Sequence, residues 1–374
     1  MNIGFDAKRV THNTTGLGNY SRFIINTLST HYPDHLYNLF TPDRGNIPLE
    51  NLLKHNVILK YPQFFLHKTF KSLWRSKYII RDLKHNQISL FHGLSNELPI
   101  GIEKSGIPSV VTIHDLIFIR YPQFYKPIDR KIYYNKFKAA CQKSDKIIAV
   151  SEMTKKDIIS FFAIPENKIE VIYQGCNPIF HEKITEESLI CFRKKYTLPK
   201  EFILNIGSIE ARKNALLIVK ALKRVKSDIP LIILGRRTPY ADSIDQYIKE
   251  NNLSHKVRIL SGVTTDELPS FYQSASLFIY PSLFEGFGIP IIEALHSETP
   301  VIATTDSCLE EAGGTSSIYI NPNDDAQFAH EIDNVLSDKS LRDKMVIDGK
   351  AYVKKFDNKV VATRIMSLYN SLLK

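Results

Sequence analysis

Short apolar runs alternate with glycine-bearing polar turns and amphipathic stretches along nearly the whole chain. That is the pattern of successive βαβ units around buried parallel sheets. In the first half the strand-like runs are residues 2–6, 88–90, 108–113, 146–150 and 169–173; in the second half they are 202–206, 230–235, 256–260 and 276–280. Amphipathic or basic stretches at 23–28, 129–143 and 215–225 read as helices between them. Ser151, Asn214 and Thr264 stand where side-chain oxygens cap helix starts, and Glu267, three residues after Thr264, completes a capping box for a helix over 266–275. Asp324-Asp325 beside Pro322 also fits a helix start. Gly175 and Asn177-Pro178 end the first repeat of this pattern, and the polar stretch 181–200 reads as a linker. The expected domains are therefore 1–180 and 201–358, with a final helix, 359–374, returning to the first.

One segment departs from that rhythm. Residues 62–84 interleave Phe65, Leu66, Phe70, Leu73, Trp74, Tyr78, Ile79 and Ile80 with Lys68, Lys71, Arg75, Lys77, Arg81 and Lys84. At about 100° per residue, Leu66, Phe70, Leu73, Trp74 and Ile80 share one face and Lys68, Lys71 and Arg75 lie opposite. A surface helix with its apolar stripe on the core is the plainer expectation; a helix lying on an anionic membrane is the functional alternative.

Candidate chemistry concentrates at 281–294. After the strand ending at Tyr280 come Pro281-Ser282-Leu283-Phe284-Glu285-Gly286-Phe287-Gly288, and then a helix that opens with Ile289-Pro290 and carries Glu293. Proline suits a first helical turn, glycines admit close backbone approach, and free N–H groups at a helix start attract an anion such as phosphate. Two carboxylates beside such a site accept hydrogen bonds from ligand hydroxyls. A similar strand, glycine loop and helix occurs at Gly16-Leu17-Gly18, and Gly207 with Arg212-Lys213-Asn214 follows the strand at 202–206. Cations at a strand-to-helix turn suit a diphosphate leaving group. His114 ends the strand 108–113, where side chains of parallel sheets face ligands, whereas His92 is expected to be a satisfied structural histidine.

Glu285 and Glu293, with seven residues between them inside Glu-Gly-Phe-Gly-Ile-Pro, resemble the paired glutamates of retaining glycosyltransferases of family 4. The resemblance implies an α/β fold of the GT-B type, two Rossmann-like domains facing a central cleft, with a nucleotide sugar bound mainly by the C-terminal domain. It implies that Glu293 holds the ribose hydroxyls, Glu285 the sugar hydroxyls and His114 the sugar pocket. Arg212 and Lys213 would hold the diphosphate with Gly207, Gly286, Phe287, Gly288 and Ile289; Gly16 and Gly18 would border the donor and acceptor; and Val263 would lie at the base. Three positions depart from the family: Ser208 stands where Arg is common, Glu298 where a small residue is usual, and Asp357-Asn358 where Trp follows Phe356. The second is expected to alter a turn and the third a crossover contact.

Length and composition agree with two domains, since 374 residues at 43% hydrophobic content supply two cores. No apolar run approaches the roughly 20 residues that span a bilayer, and the N-terminus begins as a strand, so a cytoplasmic protein is expected, at the inner membrane face if 62–84 binds lipid. Cys141, Cys176, Cys191 and Cys308 lack metal-ligand spacing and no Asp-x-Asp occurs, so neither metal nor cofactor is expected. Charge divides unevenly: residues 1–180 hold 24 Lys/Arg against 14 Asp/Glu, and 181–374 hold 25 against 25. All the excess of +10 lies in the first half, which predicts an anionic partner there.

The expected activity is metal-independent, retaining transfer of a hexose to a glycan or lipid-linked saccharide in polysaccharide biosynthesis. Resemblance to bacterial polysaccharide mannosyltransferases favours mannose from GDP-mannose, with UDP-sugars close behind. The alternatives are a nucleotide-sugar epimerase or a sugar phosphorylase on the same fold, an inactive sugar-binding scaffold, and a basic nucleic-acid-binding protein. No helix-turn-helix, RNA-binding or zinc-finger signature supports the last, so no nucleic acid is expected.

Overall fold

Two all-parallel sheets organise the chain in the computed structural model, which describes residues 1–373 except for the side chains of Phe65 and Leu66. The first sheet contains β1 (Asn2–Asp6), β2 (Leu36–Phe40), β3 (Val57–Lys60), β4 (Leu90–Gly93), β5 (Ser109–Ile113), β6 (Lys146–Ala149) and β7 (Ile169–Val171), in the order β3-β2-β1-β4-β5-β6-β7. The second contains β8 (Ile203–Ile206), β9 (Leu231–Leu234), β10 (Val257–Leu260), β11 (Leu277–Tyr280), β12 (Val301–Thr304) and β13 (Ile318–Ile320), in the order β10-β9-β8-β11-β12-β13. Each is doubly wound, and the strand order reverses between β1 and β4 and between β8 and β11. Such switch points are where α/β sheets hold ligands, at the carboxyl ends of the strands.

The strands absent from the sequence expectation are β12 and β13 in the second sheet and β2 and β3, which lie at one margin of the first. Asn38 interrupts β2, and Ile58 in β3 is exposed, so neither of these two presents the continuous apolar run of a central strand. The expected caps at Ser151, Thr264 and Asp324 are formed. Asn214 makes no such cap: it adopts φ +54°, and its side chain donates to the Pro322 carbonyl at 3.0 Å. The following helix is Ala215–Ala221, shorter than expected. Glu298, the departure expected at a turn, has φ +60°, a conformation that favours glycine.

The chain divides into compact units at Gly175/Cys176 and again at Lys355/Phe356, so the second unit is Cys176–Lys355. The stretch 181–200, expected as a linker, contains a helix, Glu186–Tyr196, capped by Thr185. Phe192 of that helix packs edge-on against Phe271 at 4.8 Å, which makes it part of the second unit. The expected return of the C-terminal helix is present as Asn358–Leu372; Lys374, at the end of the expected range, lies outside the described residues. Without the usual Trp, this crossover is held by Phe356, edge-on to Tyr173 at 5.4 Å, and by the Tyr369 hydroxyl 2.6 Å from His92 Nδ1. A Cβ on Gly175 would meet Phe23 and the Phe356 carbonyl at 2.7 Å, so only glycine allows this approach.

The continuous amphipathic helix expected over 62–84 does not form. Short helices at Phe65–Thr69 and Lys71–Leu73 run into a π-helical turn, Trp74–Tyr78, before Ile79–His85. A π turn takes in an extra residue and rotates every later side chain around the axis. Trp74 is buried, donating to Asp82 at 2.6 Å, while Phe70 and Leu73, ahead of that turn, are 60% and 46% exposed. Arg75, expected on the outer basic face, turns inward and binds Asp6 and Glu97. The Leu66 side chain of the expected stripe lies outside the described residues. No helix among the described residues is long and apolar enough to cross a membrane.

Candidate active site

In the second unit the switch point brings two loops together. β8 pairs with β11 through Ile203 and Leu204, so the turn that begins at Gly207 lies beside the loop that follows Tyr280. Backbone and side chains tie the two loops. The Leu283 N–H donates to the Arg212 carbonyl at 2.9 Å, and Arg212 Nη1 donates to the Phe284 carbonyl at 2.7 Å. From the other side, Cys308 Sγ lies 3.0 Å from the carbonyl oxygens of both Glu285 and Phe287.

Glu285 is the centre of this arrangement. Its Oε2 accepts from Arg212 at 2.9 Å, and its Oε1 accepts from Lys213 Nζ at 2.6 Å and from the Tyr280 hydroxyl at 3.1 Å. Lys213 also donates to the Tyr280 oxygen at 2.6 Å. Burial pushes the Glu285 carboxyl up, but the Lys213 and Arg212 charges more than reverse this and hold it at about 2. Burial likewise lowers Lys213, and Glu285 outweighs it, leaving the ammonium above its ordinary value. Two cations face one carboxylate, so the cluster keeps one positive charge for an anionic ligand. Oε1 already accepts two hydrogen bonds, so a ligand hydroxyl would bind Glu285 at Oε2, which accepts from Arg212.

The helix Ile289–His296 starts at Gly288, whose φ is +138°. A Cβ there would press on Ala312 at 3.0 Å and Leu309 at 3.1 Å. Glu293 lies one turn into the helix and accepts a hydrogen bond from the Tyr272 hydroxyl at 3.0 Å. Burial raises its carboxyl to about 7, against the lowering effect of Tyr272. It therefore exchanges between a neutral form and a carboxylate near neutrality, unlike Glu285. Val263 is half-buried in the loop after β10, two strands from β8 on the same side of the switch point.

The first unit has its own arrangement at the carboxyl ends of its strands. Gly16 begins the helix Gly16–His31 and is exposed, while Gly18 is buried beneath the Asn13 carbonyl. Asn13 Oδ1 shapes the loop by accepting from the N–H groups of Thr15 at 2.9 Å and Gly18 at 3.1 Å. His114 follows β5. Burial lowers it to about 4, more than the Leu94 carbonyl raises it, and Arg9 lowers it further, so it is neutral; its Nε2–H donates to Leu94 O at 2.9 Å and its Nδ1 is an acceptor. His92 is the buried structural histidine expected, between Tyr369 and Thr112. Arg75 bridges Asp6, at the end of β1, and Glu97.

Thus Arg212, Lys213, Glu285, Gly207 and Gly286–Ile289 assemble around the second switch point, with Glu293 one turn along the helix. Gly16, Gly18 and His114 belong to the first unit. Tyr272, Tyr280, Cys308 and Asn13 were not read from the sequence. Tyr280 had a signal, a polar-tipped residue at the very end of a central strand before the motif; the others had none. Among the described residues, donor atoms able to hold a metal meet at Cys176, His181 and His296, the last of these lying three residues beyond Glu293 on the same helix.

The two glycines make opposite predictions. A Cβ on Gly18 would lie 1.8 Å from Asn13 O, whereas one on Gly16 would meet nothing within 4 Å. Gly18→Ala is expected to cost about 2 kcal/mol or more through overpacking, and Gly16→Ala to be neutral or stabilising by up to about 1 kcal/mol. Urea unfolding of both variants checks this, and equal stabilities would contradict the loop geometry.

Comparisons with known proteins agree with this architecture. The family model "Glycosyltransferase Family 4" matches residues 17–179, and "Glycosyl transferases group 1" matches residues 192–352. The chain is 28% identical to O-antigen chain mannosyltransferase B of Escherichia coli across the full length of both. It is 30% identical to the O-antigen chain mannosyltransferase RfbU of Salmonella typhimurium over 60% of each chain. Among solved structures, a glycosyltransferase from Rickettsia africae matches with a TM-score of 0.80 at 20% identity, covering 100% of this chain and 98% of that one. HepE of Anabaena, solved with UDP and glucose, matches with a TM-score of 0.78 at 18% identity over all of both chains.

Proposed function

The chain belongs to the family 4 glycosyltransferases, with their GT-B fold of two Rossmann-like domains, and we propose that it transfers mannose from GDP-mannose to a hydroxyl of a glycan or lipid-linked saccharide during assembly of an O-antigen-like polysaccharide. The observation that carries the site assignment is the Arg212, Lys213 and Glu285 cluster beside the helix start at Gly288. The preference for mannose is supported by the names of the two O-antigen relatives.

In this mechanism the diphosphate leaves toward Lys213, Arg212 and the N–H groups of Gly288 and Ile289, which meet the charge that develops on it. Glu285 accepts from sugar hydroxyls and positions both cations. Glu293 accepts from the ribose hydroxyls. Within the same unit, Val263 lies at the base. The cluster supplies positive charge from side chains, so the proposed chemistry needs no divalent metal, and the family resemblance supports retention at the anomeric carbon.

The test is incubation with GDP-mannose, UDP-glucose or UDP-N-acetylglucosamine and a lipid-linked oligosaccharide, followed by NMR of the anomeric centre. The expected product is an α-mannoside, formed at the same kcat with and without added Mg²⁺. An epimerised nucleotide sugar without acceptor, or turnover that requires inorganic phosphate, would replace the proposal by the epimerase or the phosphorylase. A UDP-sugar product would keep the transferase and change the donor.

The exposed Phe64, Phe70, Leu73 and Tyr78 beside Lys68, Lys71 and Lys77 favour peripheral contact with an anionic membrane at the inner face, where a lipid-linked acceptor would lie. Wild-type protein is expected to co-sediment with phosphatidylglycerol vesicles, and Phe70→Asp/Leu73→Asp to remain in the supernatant. Equal sedimentation of the two would remove this surface from the proposal.

A further inference from the structure

We propose that Cys176, His181 and His296 form a binding site for one zinc-type divalent transition-metal ion, made of residues other than those assigned to the nucleotide sugar. The three donors come from three places in the second unit. Cys176 is its buried first residue, His181 ends the short 3₁₀ turn Pro178–His181, and His296 is the last residue of the helix Ile289–His296. Their ligating atoms lie within 4.8 Å of one another.

The spacing matches the ion's requirements. Zinc bonds of 2.3 Å to sulfur and 2.0–2.1 Å to nitrogen, opened to a tetrahedral angle, set S and N about 3.5 Å apart. Cys176 Sγ and His181 Nε2 are 3.6 Å apart. The His181 and His296 rings stack at 3.7 Å with 16° between their planes. A metal lies in the plane of each imidazole it binds, so His296 has to turn about its side-chain bonds to bring a nitrogen onto the shared ion. His296 is half-buried at the helix end, and that turn is part of the proposal.

The surroundings are prepared for a cation. Asn177 Oδ1 accepts from the Ile179 N–H at 3.2 Å and, with Pro178, fixes the turn between two of the donors. The carbonyl end of the helix adds favourable potential at His296. A thiolate with two imidazoles selects zinc, cobalt or copper over magnesium and calcium. Exposed His181 provides the entry path, and three protein ligands leave a fourth position open. The bound ion would clip the turn at the start of the second unit to the helix that carries Glu293.

Cobalt(II) titration of the reduced, chelator-treated protein tests the site. One equivalent is expected to bind with a thiolate-to-cobalt absorption band and tetrahedral visible bands, both displaced by zinc. Cys176→Ser should abolish the charge-transfer band, His181→Gln and His296→Gln should weaken binding at least about tenfold, and Cys191→Ser, at an exposed cysteine, should change nothing. Because His181 is exposed, His181→Gln is expected to fold and carries the test even if Cys176→Ser does not. Absence of the bands in wild type, or affinity unchanged in His181→Gln, overturns the proposal. Neither outcome depends on glycosyl transfer.

Discussion

Lys213→Ala is expected to lower kcat by about 10²- to 10³-fold while changing the KM for the donor much less. The first effect is the size seen when one preorganised donor to a developing negative charge is removed. The second follows because Arg212 and the helix start at Gly288 remain to bind the diphosphate in the ground state. Stability should fall as well. Glu285 is buried, and removing one of its two cations leaves its charge partly uncompensated, at a cost of about 3 kcal/mol. The double variant Lys213→Met/Glu285→Gln separates the two roles. It removes the buried carboxylate with its partner and should recover most of the stability, while kcat stays low. If kcat returned together with stability, the loss in Lys213→Ala would reflect the uncompensated charge of Glu285 and not a lost donor to the leaving group. Steady-state kinetics and urea unfolding of the two variants beside the wild type decide between them.

Glu293→Gln is expected to raise the KM for the donor about tenfold to 100-fold at pH 8 and yet to stabilise the protein there, because donor binding and folding ask opposite things of this carboxyl. Burial raises it to about 7, against an ordinary value of 4.5. A folded-state value above the unfolded one means that the folded protein holds the proton more tightly. The group's contribution to stability is therefore complete below about 4.5, is lost as pH rises to about 7, and stays lost above that. The loss is on the order of 2 kcal/mol, since the side chain keeps some contact with solvent. Glutamine has no such titration, so its stability advantage should open between those two values. Ribose hydroxyls need an acceptor, so wild-type affinity for the nucleoside diphosphate should strengthen as pH rises through about 7, whereas that of the variant should be flat. Calorimetric titration from pH 5.5 to 8.5 with parallel thermal melts measures both. A flat wild-type profile would mean that the ribose does not use Glu293.

Much of the architecture is legible in the chain because buried parallel strands must be apolar throughout. The central strands β1, β5, β6, β8, β9 and β11 carry that signature, and the marginal β2 and β3, partly polar or exposed, do not. The helix starts at Ser151, Thr264 and Asp324 were equally legible, since a cap is a contact between residues two or three apart. The stretch 62–84 was misjudged because periodicity assumes a continuous helix. The π turn at Trp74–Tyr78 breaks the period, and Asp6, which recruits Arg75, is 69 residues away.

The loop that carries Glu285, the helix start at Gly288 and the cations after β8 were determined by the sequence itself, because each depends on glycine, proline and charge within a few positions of one another. Tertiary structure alone decided what those groups became. Glu285 is held ionised while buried because β8 and β11 are neighbours and bring Lys213 to it across 72 residues together with Arg212, and Glu293 is raised because the core buries it, against the lowering bond from Tyr272. The meeting of Cys176 and His181 with His296 has the same origin. Local propensity acts between near neighbours along the chain, whereas desolvation and Coulomb interactions act between neighbours in space, and only folding makes those neighbours.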